Sequence, residues 1–330
     1  MKSLNFIRNM AAGENYSNKH VLVLDIVEKV ARTGKPFVSL KLTDGDAVIQ
    51  ASRFDATKED LQLLGITPGE VAEVSLCLKT PYYNLSDIAL CDDPEIKADD
   101  FARTVPGDME KMYSEICHSI TNTIENAAFD SVGIITLELL KEYEPEYKRS
   151  SAAKCMHHNL VGGLLYHSYR MVKSAEYLCN VYPKLDKEIL VCSAALHDIG
   201  KIRELTTDLT GETEYTVPGR LLGHALIGIQ MVKEKAEELN YHSDRVSQLM
   251  HCIAAHHGKA EYGAITTPAT AEAQALHLID LLDAKMYQFE YAYNGIDEGM
   301  LSGKMFCLDG STVYKPYGYD FDGTVAGEEE

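Results

Sequence analysis

Residues 193–201 read SAALHDIGK. Small and apolar residues lead straight into an imidazole and a carboxylate, His197 and Asp198, with Gly200 and Lys201 behind them. Ending an apolar helix on such a pair costs roughly several kcal/mol unless both groups find partners. Four other stretches repeat the signature. His167 shares a helical face with Leu164, Met171 and Ala175. His224 shares one with Leu221, Gly228 and Met231, and His256 and His257 close the apolar run VSQLMHCIAAHHG. Asp280 lies with Ala273, Leu276 and Ala284. One such residue is ordinarily a satisfied core group. Five helices that each bring His or Asp to an apolar stripe call for a shared partner, and a cation satisfies them together. Mixed imidazole and carboxylate ligands suit Mn, Fe, Co or Zn rather than Ca.

The remaining candidates are less defined. His20, His118 and His242 read as surface or structural residues. His157 and His158 precede the first ligand-bearing helix, where they either meet substrate or cap that helix. His251 and His277 share helices with expected ligands but are expected to point elsewhere, at about 100° per residue. Asp283, one turn past Asp280, leaves two readings open: a support for the ligands or a plain helix carboxylate. The eight cysteines include no CxxC pair, so they read as reduced, mostly buried thiols rather than a disulfide framework or zinc ribbon.

Elements of two kinds must position these groups. HVLVLDIVEKV, FVSLKLTD, AVIQASRFD and VAEVSLCLKT are rich in Val, Ile and Leu and are separated by turn signals, which predicts strands. A helix at TKEDLQLLG and a fifth strand near LSDIALC complete a small closed barrel. Residues 93–107 read as a linker. Beyond it apolar residues recur at helical spacing, through DMEKMYSEICHSITNTIENA and VGIITLELLKEYEPEY and then over 161–180, 187–199, 220–239, 244–256 and 271–293. The expected divisions are an N-terminal segment over 1–17, a barrel over 18–95, a linker and helical segment over 96–150, an all-α domain over 151–316 and an acidic tail over 317–330. No run of 18 apolar residues and no secretory leader is evident, so the expected location is cytoplasmic. The net charge of −19 argues against a protein that grips nucleic acid over its whole surface. It leaves room for a local basic groove built on Lys19, Lys29, Arg32, Lys35 and Lys41.

The order His, His-Asp, His, His-His, Asp resembles the HD-domain metal-dependent phosphohydrolases, in which HDIGK is the central motif. HHNLVGGLLYHS, LHDIGKIRELT, GRLLGHALIG, AAHHGKAEYG and LIDLLDAKM narrow the likeness to the YhaM-type 3′-5′ exoribonucleases. GKPFVSLKLTDGDAVIQASRFDA is similar to the OB-fold that precedes the HD domain in that family, and FCLDGSTVYKP is similar to its closing stretch. The similarity runs over roughly residues 18–316. It implies a five-stranded OB-fold β-barrel followed by an all-α HD domain, a divalent-metal requirement, and trimming of single-stranded RNA or DNA from the 3′ end.

By position, the resemblance implies that His167, His197, Asp198 and Asp280 hold one metal. His224, His256 and His257 then complete a second site with Asp198 bridging. Two ions are expected, Mn foremost, with Fe, Co or Mg as alternatives. Some HD hydrolases carry a Glu one turn before the first His; here that place is Gly163, and a third metal is not expected. Such cations activate water and polarise the scissile phosphate, with Lys201 on a phosphate oxygen or the attacking water. The single strand is expected on Lys35, Phe37, Lys41, Arg53, Phe54, Tyr82 and Tyr83, as a basic groove with aromatic platforms. Phe37 and Phe54 serve equally well as barrel filling, and the Tyr82–Tyr83 pair is expected on a loop. Two other functions stay open: an HD phosphohydrolase of small nucleotides, and a non-catalytic single-strand-binding protein. A homo-oligomer is compatible with the sequence.

Overall fold

The computed structural model describes residues 6–31, 33–45, 47–102, 104–124, 131–152, 160–207, 213–305, 308 and 310–319. Arg32, His157 and His158, two of the cysteines (Cys155 and Cys307) and the acidic tail from residue 320 lie outside them. The chain divides into two units, residues 1–103 and residues 104–207 with 213–330.

The first unit is built on β1 (Asn15–Val30), β2 (Pro36–Thr43), β3 (Val48–Phe54), α1 (Lys58–Leu63), β4 (Val71–Lys79) and β5 (Tyr82–Leu90). Period-2 alternation drives it. Val38, Leu40 and Leu42 of β2 bury one face, as do Val74 and Leu76 of β4. The strands close into a barrel in the order β1-β2-β3-β5-β4. All pairings are antiparallel except β3 with β5, where Ala51 faces Tyr83. The connection between β3 and β4 is α1, begun by a capping box in which Thr57 and Asp60 satisfy each other's backbone N–H groups. The expected fifth strand is present, but it starts at Tyr82. Tyr82 and Tyr83 are therefore strand residues and not a loop, because Leu78 and Lys79 of β4 pair with them. The expected linker is also shorter than 93–107, since Ile96 and Phe101 bury their side chains with Leu22 and Val71.

The second unit contains α2 (Met109–Ile124), α3 (Val132–Glu142), α4 (Glu144–Arg149), α5 (Gly163–Val181), α6 (Lys187–Leu196) and α7 (Lys201–Glu204). A two-stranded hairpin follows, β6 (Leu205–Thr207) with β7 (Thr213–Tyr215), and then α8 (Val217–Glu238), α9 (Asp244–Ala255) and α10 (Ala271–Asn294). Met112, Ile116 and Ile120 of α2 and Ile135 and Leu139 of α3 share one core with α5, α6, α8, α9 and α10. Tyr147 is fully buried and donates to the Ala195 carbonyl at 2.8 Å.

The innermost helix is α6, buried at every position from Glu188 to Leu196. Its N-terminus is fixed by Asp186, which accepts from Ile189 N at 3.1 Å. Arg245 clamps Asp186 and Glu188, both at 2.7 Å. The buried Glu188 carboxylate also accepts from Ser131 Oγ and Gly133 N, so its charge is compensated. Burial pushes the Asp186 carboxyl up, but the Arg245 hydrogen bonds outweigh it and hold it below its ordinary range. Among the described residues no helix is long and apolar enough to cross a membrane.

Candidate metal centre

Five of these helices deliver side chains to one place. His167 comes from the first turns of α5, and His197 caps the C-terminus of α6 with Asp198 behind it. His224 comes from α8, His256 caps α9 with His257 next, and Asp280 lies within α10. Two details of backbone make this convergence work. A Cβ on Gly200 would lie 2.0 Å from the His224 carbonyl oxygen and 2.7 Å from Gly228 N, so only glycine lets α8 approach the HD turn this closely. Gly200 itself has φ −60° and ψ −19°. It serves as a packing notch. Helix α8 breaks at Gly223, with φ 73° and ψ 154°, and Glu204 Oε1 accepts from His224 N at 3.0 Å just past the break. The break rotates the preceding turn away, leaving Leu221 77% exposed instead of on the His224 face.

The ring nitrogens fall into two roles. His197 Nδ1 donates to the Ala194 carbonyl at 3.0 Å and His256 Nδ1 to that of Ile253 at 2.7 Å. His167 Nδ1 donates to Asp283 at 2.7 Å and His224 Nδ1 to Glu204 at 3.2 Å. Oxygen partners at Nδ1 fix a proton there and leave Nε2 as the nitrogen turned to the site. Those nitrogens converge. His167 and His197 Nε2 are 3.1 Å apart, and His224 Nε2 is 3.0 Å from His257 Nε2 and 3.4 Å from His256 Nε2.

Asp198 stands between the two clusters. Its Oδ2 is 3.4 Å from His197 Nε2 and 3.8 Å from His167 Nε2. Its Oδ1 is 3.4 Å from His224 Nε2 and 3.8 Å from His256 Nε2. Asp280 Oδ1 lies 3.3 Å from His167 Nε2, and Lys201 Nζ lies 2.6 Å from Asp198 Oδ2. Asp198 is 3% exposed. Its Oδ1 accepts no hydrogen bond among the described residues.

Electrostatics follow from this packing. Burial opposes ionisation of Asp198, yet Lys201 and the histidines outweigh it and hold the carboxyl well below its usual range. Burial, and then His197, keep His256 far below its ordinary value, and burial also lowers His257. Burial disfavours the charged His167, but Asp280 and Asp283 prevail and push it up to about 10, so without a cation this ring holds a second proton that a bound cation would displace. Converging ring nitrogens, ionised carboxylates and an unpaired buried oxygen are the donor set of a cation site. The ligand atoms of His167, His197 and Asp198 lie within 4.8 Å of one another, as do those of His224, His256 and His257.

Partners of the ligands complete the arrangement. Asp283 takes the supporting reading, since it accepts from His167 Nδ1 and, at 2.5 Å, from Arg170 Nε. Arg170 is in turn held by Glu290 at 3.1 Å. Such outer groups set ring orientation and basicity. Sequence reasoning missed Glu204 and Arg170; spacing gives one hint, since Glu204 stands six residues after Asp198. His251 accepts from Ala269 N at 2.9 Å, whereas His277 does not point elsewhere. It lines the same cleft as His167, Asp198, Lys201 and Asp280.

The barrel unit carries the other candidates. Phe37 and Phe54 pair across β2 and β3, stacked with ring centroids 5.4 Å apart, and Phe54 is 55% exposed. They lie on the face opposite Val38 and Leu40 and do not fill the barrel. Lys41 is on the same face of β2, and Tyr82 is exposed at the start of β5. Tyr83 instead packs against the barrel core. Arg53 Nη1 donates to the Ser86 carbonyl at 2.9 Å, and Lys35 pairs with Asp55 at 3.0 Å.

Comparison with known proteins adds two kinds of likeness. The HD domain family matches residues 164–285. The 3′-5′ exoribonuclease YhaM of Bacillus subtilis (strain 168) is 34% identical over 304 residues, covering 91% of this chain and 94% of the relative. YhaM of Bacillus pumilus (strain SAFR-032) is 33% identical over 306 residues, covering 90% and 94%, and that of Oceanobacillus iheyensis is 32% identical over 319 residues, covering 92% and 95%.

Proposed function

The chain belongs to the YhaM family of 3′-5′ exoribonucleases, and from that premise we propose how its own residues carry the reaction. The reading is a metal-dependent hydrolase that shortens single-stranded RNA, and single-stranded DNA as a second substrate, from the 3′ end in the cytoplasm and releases nucleoside 5′-monophosphates. The observation that carries it is Asp198, with each oxygen turned to a different histidine cluster.

His167, His197, Asp198 Oδ2 and Asp280 would hold one divalent cation, and His224, His256, His257 and Asp198 Oδ1 a second. Manganese suits this mixed nitrogen and oxygen set. Bound there, the cations supply Lewis-acid polarisation of a phosphoryl oxygen and acidify water at neutral pH. Lys201, within 2.6 Å of Asp198, faces charge growing on the non-bridging oxygens and offsets it. Asp283 and Glu204 keep His167 and His224 in one tautomer and orientation. The cyclic strand order of the barrel supports an OB-fold. Its Phe37–Phe54 stack would carry bases, with Lys41 beside it and Tyr82 at the start of β5, on a surface that tolerates any sequence.

The test uses 5′-labelled RNA with Mn²⁺. Wild type gives a ladder shrinking from the 3′ end. Asp198→Ala abolishes shortening and leaves strand binding within about twofold. Full activity in Asp198→Ala sinks the cation assignment. An intact strand with hydrolysed free nucleotides favours a small-nucleotide phosphohydrolase, and retarded but intact RNA favours a binding protein.

A further inference from the structure

The cleft beside the histidine clusters has a volume of about 260 Å³, and its lining runs past the expected ligands to His277, Tyr262 and Leu281. Nothing in the cation chemistry uses those three. His277 stands three residues before Asp280 on α10, about 4.5 Å along the axis. Its Nδ1 lies 2.9 Å from the carbonyl oxygen of His256. A carbonyl only accepts, so Nδ1 holds a proton, and in that Nδ1–H tautomer Nε2 presents a lone pair. No second hydrogen-bond partner of His277 exists among the described residues.

The position is also shaped for the ring. A Cβ on Gly258, which has φ +75°, would lie 2.4 Å from His277 Cε1 and Nε2. Any other residue at 258 would expel the imidazole from the cleft wall. At the rim, Tyr262 is 61% exposed, with Lys259 Nζ 5.7 Å from its ring centroid. An aromatic face at the mouth of a phosphate-handling cleft is a stacking platform.

Resting on the exoribonuclease reading above, we propose that His277 and Tyr262 form the subsite for the 3′-terminal nucleoside, with His277 Nε2 accepting a hydrogen bond from a hydroxyl of the terminal ribose and Tyr262 stacking on its base. Polarity selects the ligand. A lone pair does not bind a phosphate oxygen, which is itself an acceptor; it takes an O–H. In a strand cut from its 3′ end, the group bonded to the scissile phosphate on the released side is the terminal ribose, and its hydroxyls are the nearest donors. A 3′-phosphate end brings acceptors and negative charge to the same spot and is disfavoured.

The experiment compares kcat/KM at pH 8 with Mn²⁺ for RNAs that differ only at the end: ribose, 2′,3′-dideoxyribose or 3′-phosphate. Wild type prefers the ribose end over the dideoxy end about five- to tenfold, the worth of one neutral hydrogen bond, and processes the 3′-phosphate end more slowly still. In His277→Leu the ribose-over-dideoxy ratio falls to within about twofold. His277→Gln, whose Oε1 can replace Nε2 as acceptor, regains part of it. A wild-type ratio near one overturns the proposal. So does a His277→Leu variant that slows both ends equally, since His277 is then only structural. If wild type shortens none of the three RNAs, the exoribonuclease reading itself has failed, an outcome separate from the ratio.

Discussion

Replacing Asp283 by asparagine keeps the shape of the side chain and removes one negative charge. The Asp283 carboxylate takes two donors, His167 Nδ1 at 2.7 Å and Arg170 Nε at 2.5 Å. An amide has only one oxygen, so one of the two donors must face an NH₂ group, and an unmet pair of this kind costs about 1–3 kcal/mol. Arg170 keeps Glu290 at 3.1 Å, which favours the orientation with the amide oxygen on His167. The ring then keeps its tautomer but loses its anionic partner, and Nε2 becomes a poorer donor to a cation. Changes of this type weaken metal affinity 10–100-fold, or about 1.4–2.7 kcal/mol. Calorimetric Mn²⁺ titration and the Mn²⁺ dependence of RNA shortening read the same quantity. The expected result is a half-saturating concentration raised 10–100-fold, with the rate at saturation restored to within a few fold. A midpoint equal to that of wild type, or a rate that no Mn²⁺ concentration restores, refutes the view that Asp283 acts through His167.

Two further outcomes are expected. Gly200→Ala puts a Cβ 2.0 Å from the His224 carbonyl oxygen, and regaining an ordinary 3.4 Å contact means a retreat of α8 by 3.4 − 2.0 = 1.4 Å. Because both close neighbours are backbone, the loss of stability should reach or exceed the ~1–3 kcal/mol of core overpacking; a melting temperature equal to that of wild type in scanning calorimetry would show that the notch is dispensable. Phe54→Ala removes one ring of the exposed stack and should weaken single-strand binding by about 1–3 kcal/mol in fluorescence anisotropy, while unaltered affinity there and in Phe37→Ala moves the strand off the β2–β3 face.

The residues with a periodic setting are legible in the sequence. Val38, Leu40 and Leu42 announce a barrel strand, and His167 and Asp280 sit on stripes in which Leu164, Met171, Ala175, Ala273 and Leu276 are buried. Residues whose role depends on a distant partner were not legible. Glu204 and Arg170 look like ordinary surface charges until the fold brings them to His224 and Asp283, and Asp283 could not be decided for the same reason. His277 was misplaced because counting degrees along a helix locates a side chain on its own axis, not against a neighbouring helix. There the Gly258 turn and the His256 carbonyl hold it. Leu221 was misread because helical counting ran through the break at Gly223. Phe37 and Phe54 could not be assigned because an aromatic residue in a strand suits either face of a barrel. Register decides, and register is a tertiary property.

The burial of α6 at every position from Glu188 to Leu196 has a consequence for how this chain can change. On most enzymes, side chains that do chemistry ride on surface loops, where substitutions can be tried without threatening the fold. Here the helix that ends in His197 and Asp198 is also the packing centre of its unit, so a change at Ala194 or Ala195 would be felt by the fold and by the site together. Random variants selected for activity should therefore leave α6 nearly untouched and collect their gains on α10 and at the rim around Tyr262. A laboratory evolution experiment would find the door adjustable and the hinge fixed.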